Sequence, residues 1–105
     1  LMVGNVPIGP EETSGEVFDK VSSIGARTLV RAVELLREGK LTPKKQDDSQ
    51  ATQAPPLTKE MAHFTFDTTA QKLHDLVRGM NPWPVAFFEY GGKKVKVLQS
   101  RIANR

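Results

Sequence analysis

The sequence predicts an α+β chain made from pieces of two domains. Three observations point there: a long amphipathic helix with a clear start and stop, an aperiodic proline-rich stretch after it, and a second helix followed by a two-strand hairpin. The order strand, helix, linker, strand, helix, strand, strand suits no single closed core, because the front helix lacks a sheet to lie on and the back sheet lacks further strands. With 105 residues and 38% hydrophobic content, the chain can bury one small core.

Met2 to Pro7 is an apolar stretch broken by Gly4 and Asn5, which reads as a strand separated from its sheet. Thr13-Ser14-Gly15-Glu16 is a capping box, so a helix is expected to start there. Val17, Val21, Ile24, Ala32 and Leu36, with Phe18, Leu29, Val33 and Leu35 beside them, recur at helical spacing and define one face. Gly39 stops the helix, since glycine enters the left-handed cap at little cost. Gly25 in its middle costs about 1 kcal/mol relative to alanine, which implies either a close backbone neighbour or a bend.

From Lys40 the periodicity is lost. Pro43, Pro55, Pro56, Asp47, Asp48 and Ser49 cannot build a core, and the prolines stiffen an extended linker over residues 40–57. Phe64 and Phe66 then alternate with polar residues as one short strand. Asp67 or Thr68 can cap a second helix with Ala70, Leu73, Leu76, Val77 and Met80 as apolar members and Gly79 as its end. Asn81-Pro82-Trp83-Pro84 forces a turn-like crossing, with Trp83 expected as a rigid core plug. Strands at Val85 to Tyr90 and Lys93 to Leu98 flank Gly91-Gly92, a loop suited to the positive φ angles of a type I′ turn. Alternation turns Val95 and Val97 inward and Lys94 and Lys96 outward.

Several function classes are set aside. The chain has no cysteine, so disulfides and thiolate metal sites are excluded, and two separated histidines, His63 and His74, make a poor zinc set. No metal is expected. No apolar run approaches the roughly 20 residues of a membrane span, and the start lacks signal-peptide features, so a cytoplasmic chain is expected. His74 and Asp75 are adjacent on a helix and point apart, which argues against a base and its orienting partner. Asp47-Asp48 lacks a third acidic ligand nearby, and the amino-side glycines lack phosphate-cradling spacing. No catalytic residue is identified.

Charge is the more informative signal. The formal net charge of +3 divides as −2 over residues 1–39, +1 over 40–60 and +4 over 61–105. A basic carboxyl end suits a polyanion, because each lysine or arginine placed near a phosphate releases a condensed counterion. Lys93, Lys94 and Lys96 lie on a strand beside Phe87, Phe88 and Tyr90, a combination able to meet phosphates and stack a base. Lys59, Lys44 and Lys45 extend the basic path, and Arg78 precedes the Asn81-Pro82-Trp83-Pro84 run, which is taken as structural.

The run from Val6 to Glu16, Leu41-Thr42-Pro43 with Gln46-Asp47-Asp48-Ser49, Leu57-Thr58-Lys59-Glu60, and above all Arg78-Gly79-Met80-Asn81-Pro82-Trp83-Pro84 resemble the bacterial methionyl-tRNA formyltransferase family in order and spacing. That resemblance implies a Rossmann-like domain moving a formyl group from 10-formyltetrahydrofolate to methionine on initiator tRNA, with its catalytic residues upstream of Leu1. It also implies that residues 1–39 are the last strand and helix of that domain, 40–57 a linker, and 58–105 the start of an OB-like tRNA-binding barrel. The co-substrate is not expected to bind these residues. The parent would be a monomer, whereas an isolated, incomplete sheet invites self-association through its edge. Gln53 and Pro56 stand where the family often has tyrosine and lysine, and Phe64-Thr65-Phe66 replaces an isoleucine-aspartate-tryptophan run, which moves the expected RNA contacts toward Lys59 and the hairpin. Fragments of a formyltetrahydrofolate hydrolase or a sugar-nucleotide formyltransferase, or a non-catalytic interaction module, are the alternative readings.

Overall fold

The computed structural model describes residues 2–104. Its elements are helix α1 at Ser14–Arg37, a 3-10 turn at Asp48–Gln50, a second at Glu60–Ala62, helix α2 at Ala70–Gly79, and strands β1 at Phe87–Tyr90 and β2 at Lys93–Lys96. The chain falls into two units: residues up to Ile8 with Val17–Pro55, and Gly9–Glu16 with Pro56–Arg105. It therefore passes from one to the other after Ile8, after Glu16 and after Pro55.

Helix α1 has the predicted ends. Its amino end is closed by the Glu16 N–H donating to Thr13 Oγ1 at 3.2 Å, while the Thr13 hydroxyl donates to the Glu16 carboxylate at 3.4 Å. At its carboxyl end Gly39 has φ 70°, Lys40 N–H donates to Leu35 O at 2.9 Å and Gly39 N–H to Leu36 O at 3.1 Å, the paired bonds of a Schellman cap. Residues 2–8 form no strand, which corrects the expectation: a strand needs a neighbour for its ladder, and here the segment lies against α1 at Gly4. Gly4 makes that approach possible, since a Cβ there would lie 2.8 Å from Thr28 Oγ1 and 3.0 Å from Ile24 Cγ2. Lys20 Nζ donates to Pro7 O at 3.2 Å on the same side.

No residue of α1 is buried. The half-buried side chains Val17, Ile24, Thr28, Ala32 and Leu35 follow one stripe, whereas Phe18, Val21, Leu29, Val33 and Leu36 form a second stripe that stays exposed. The single apolar face read from the sequence is thus two stripes, one of them open. Nothing lies within 4 Å of a Cβ placed at Gly25, so no backbone packs there. The linker is irregular apart from the turn at Asp48–Gln50, which Asp47 caps by accepting from Ser49 N–H at 3.1 Å and Ser49 Oγ at 2.6 Å.

The second unit holds the buried core found among the described residues: Ala62, Val77, Ala86 and the polar His74. Helix α2 is capped by Thr69, whose Oγ1 accepts from Lys72 N–H at 3.2 Å, rather than by Asp67 or Thr68, and it runs through Gly79. The expected strand at Phe64 to Phe66 reduces to one parallel bridge, His63 to Phe87, with Phe64 N–H donating to Phe87 O at 2.9 Å. Phe64, Phe66 and Phe88 pack together with centroids 5.2 to 5.6 Å apart and line, with Leu73, Val77 and Ile102, an apolar groove of about 260 Å³. Gly91 and Gly92, at φ 57° and 74°, make the two-residue turn between β1 and β2. Both strands are shorter than expected because Val85 bends at φ 76°, held by its N–H to Met80 O at 2.8 Å, and beyond Lys96 the ladder lapses after Val97 N–H donates to Ala86 O. Among the described residues the sheet has two strands, so the structure itself draws no barrel.

Candidate nucleic-acid interface

The hairpin register sorts the lysines. Phe87 opposes Lys96, Phe88 opposes Val95, Glu89 opposes Lys94 and Tyr90 opposes Lys93. Directly opposed residues share a face and successive residues alternate, so Phe87, Glu89, Lys94 and Lys96 project to one side and Phe88, Tyr90, Lys93 and Val95 to the other. The structure thus places Lys94 and Lys96 together and Lys93 apart from them. The Lys93 side is also the side of the aromatic cluster, through Phe88.

On the Lys94 side, Nζ of Lys94 stands 4.7 Å from the centroid of the Phe87 ring, a cation–π contact. His63 stacks on the same ring, with centroids 5.0 Å apart and planes inclined by 29°. A strand has two edges. Since β2 pairs with one edge of β1 and His63 bridges the other, the lysine and the imidazole reach Phe87 from opposite flanks. His63 was no part of the sequence-based set, because only the bridge to Phe87, 24 positions away, places it there.

The remaining basic residues have other settings. Lys59 is exposed at the start of the 3-10 turn at Glu60–Ala62, and Lys44 and Lys45 are exposed in the linker of the first unit. Arg78 faces inward: its Nη1 donates to Gly9 O at 3.1 Å and Glu12 O at 3.2 Å, while Nε and Nη2 meet Asp75 Oδ1 at 3.0 and 2.9 Å. Hydrogen bonds from Arg78 first, then from Gln71, hold the Asp75 carboxyl below the ordinary carboxylate range. The Asp47 carboxyl is likewise lowered, by its bonds to Ser49.

Beside Arg78, His74 is buried and doubly engaged. Nδ1 lies 2.8 Å from Ser100 Oγ, and Nε2 lies 3.1 Å from both Pro10 O and a Glu11 carboxylate oxygen. The carbonyl and the carboxylate can only accept, so Nε2 carries the proton. This role was not legible from the sequence either. The Asn-Pro-Trp-Pro run completes the same holding arrangement: Asn81 O accepts from Ser14 Oγ at 2.7 Å and Gly15 N–H at 3.1 Å, and Asn81 Nδ2 donates to Leu98 O at 2.9 Å. The peptide bonds before Pro82 and Pro84 are cis. Trp83 is 53% exposed, which corrects its expected role as a core plug; the neighbouring Pro82 lies close to α1, its Cδ 2.9 Å from where a Cβ on Gly15 would stand.

Among the described residues no group of three or more histidine, aspartate or glutamate side chains is arranged to hold a metal ion, and no helix is long and apolar enough to cross a membrane.

Residues 56–105 match the family profile described as formyl transferase, C-terminal domain. Over 104 residues the chain is 41% identical to the methionyl-tRNA formyltransferase of Lachnospira eligens, covering 99% of this chain and 33% of that protein. It is 40% identical over 102 residues to the methionyl-tRNA formyltransferase of Heliobacterium modesticaldum, covering 97% and 32%, and 38% identical over 104 residues to that of Clostridium novyi, covering 99% and 34%. The chain spans about a third of the length of the curated relatives it matches.

Proposed function

We propose, from the premise that residues 56–105 match the formyl transferase C-terminal domain family, that this chain is the carboxyl-side portion of a cytoplasmic methionyl-tRNA formyltransferase. Such an enzyme moves a formyl group from 10-formyltetrahydrofolate to the methionine amine of initiator tRNA. In this reading residues 1–39 close a Rossmann-like domain, residues 40–57 link, and residues 58–105 begin an OB-like barrel. The observation that carries it is similarity along nearly the whole chain, across linker and both flanks, to proteins of that one name.

The division of labour follows from chemistry. An amine attacks only when unprotonated, with a general base in hydrogen-bond reach, and the buried His74 spends its nitrogens on Ser100, Pro10 and Glu11. The contribution of this stretch is to position tRNA. Lys59 and the hairpin lysines Lys93, Lys94 and Lys96 neutralise phosphates, with Lys44 and Lys45 adding to the grip, while transfer takes place elsewhere in the parent. Arg78 serves this indirectly, through the turn it holds.

The test is binding of initiator tRNA by the chain across a salt series. Each phosphate contact contributes about 0.7 (single strands) to 0.9 (duplex DNA) to the slope of log K against log salt, so Lys94→Gln and Lys96→Gln should each flatten the slope by roughly one. Salt-independent binding, or formyl transfer by this chain alone, would refute the assignment.

A further inference from the structure

The flank of Phe87 occupied by His63 has no role in the reading above. The chain pays for an exposed imidazole stacked on a half-buried ring by pairing just one residue, His63, with β1 outside the hairpin. His63 lies against Phe87 with one ring face, and the residue as a whole is exposed. Two strand spacings away, on the same side of the sheet, stand Lys94 and Lys96. The order across the three neighbouring segments is an exposed imidazole, a phenyl ring, and two ammonium groups.

We propose that the exposed face of His63 is a stacking seat for an unpaired base of the bound RNA, with Lys94 and Lys96 taking the phosphates next to it. A base presents a π-face whatever its identity, and stacking on a side-chain ring combined with cations along the backbone is how unpaired nucleotides are held without sequence readout. Phe87 is the support: pinned between its two flanks, it fixes the tilt of the imidazole before RNA arrives. Lys94 is drawn toward the ring and Lys96, directly opposite Phe87, is the freer cation. Glu89 shares the face opposite Lys94, so the positive end of the seat is centred on Lys96. On the opposite side of the hairpin Phe88 is taken up by Phe64 and Phe66, and the exposed ring is Tyr90, opposite Lys93.

This inference deepens the tRNA-positioning reading and rests on it, so the experiment separates the two. Binding of initiator tRNA and of a single-stranded oligouridylate is measured by anisotropy for the whole chain and for His63→Ala, His63→Tyr and Lys96→Gln, with circular dichroism confirming that each is folded. The seat predicts that His63→Ala weakens both RNAs about fivefold or more at an unchanged salt slope, and that His63→Tyr restores them. Lys96→Gln should flatten the slope instead. If His63→Ala binds as the parent does while Lys96→Gln still flattens the slope, the stacking seat is refuted and the electrostatic reading stands. If the parent chain binds neither RNA, both fall.

Discussion

Replacing Arg78 with methionine removes a guanidinium while keeping most of the apolar stem, and its cost can be worked out from the contacts. Two bonds, to the carbonyls of Gly9 and Glu12, are part-buried. A hydrogen bond from a charged donor contributes about 1.5–3 kcal/mol, and the loss leaves its acceptors without that partner. The side chain is 22% exposed, so the lower end of that range applies to each bond. The pair with Asp75, whose carboxylate is 45% exposed, is screened by solvent and is left out of the sum. The expected loss is about 2–4 kcal/mol. At about 0.05–0.15 kcal/mol of stability per residue, that is a large share of what a unit of roughly 60 residues holds. The only tryptophan, Trp83, lies in this unit, so its fluorescence during urea unfolding reports on it. With a urea slope near 1 kcal/mol/M, the midpoint should fall by about 2–4 M, and Arg78→Lys should recover only part of it, since an ammonium cannot span both carbonyls and Asp75 as a fork does. A midpoint within about 0.3 M of the parent would refute this account of Arg78. So would a flatter salt slope for tRNA, which would mark the guanidinium as a phosphate contact.

Other outcomes follow from the same geometry. The Asp75 carboxyl should titrate by NMR below its ordinary value near 3.8 and move upward in Arg78→Met; because its folded value is depressed, its contribution is present above about pH 4 and is lost as pH falls through the folded value. Thr69→Ala removes the α2 cap and should lower stability by about 1 kcal/mol in a thermal melt. Two glycine replacements should have opposite signs in urea unfolding. Gly25→Ala, with nothing within 4 Å, should raise helix stability by about 0.5–1 kcal/mol, whereas Gly15→Ala puts a methyl 2.9 Å from the Pro82 ring and should cost about 1–3 kcal/mol.

What was legible in the sequence was local. Thr13 with Glu16, Gly39 and Gly91-Gly92 each fix a conformation within a few residues, and the ends of α1 and the hairpin turn lie where those signals put them. The Thr69 cap was displaced by one or two positions because Asp67, Thr68 and Thr69 are all able acceptors and only the start of the helix selects among them. What failed depended on distant partners. The apolar runs at Met2 to Pro7 and Phe64 to Phe66 have strand composition, but composition supplies no ladder. Arg78 reads as one basic residue among several, because its partners are carbonyls 66 and 69 positions away that no local pattern reveals. Trp83 between two prolines reads as a core plug, but it is 53% exposed.

The threading of Gly9–Glu16 has a consequence for how the polypeptide would respond to a cut. Because that octapeptide is fastened to α2 and the Asn81 loop by Arg78, His74 and two bonds to one carbonyl, scission within the proline-rich stretch severs one of three covalent crossings and leaves the pieces laced together. A nicked molecule should migrate whole under native conditions and separate only in denaturant.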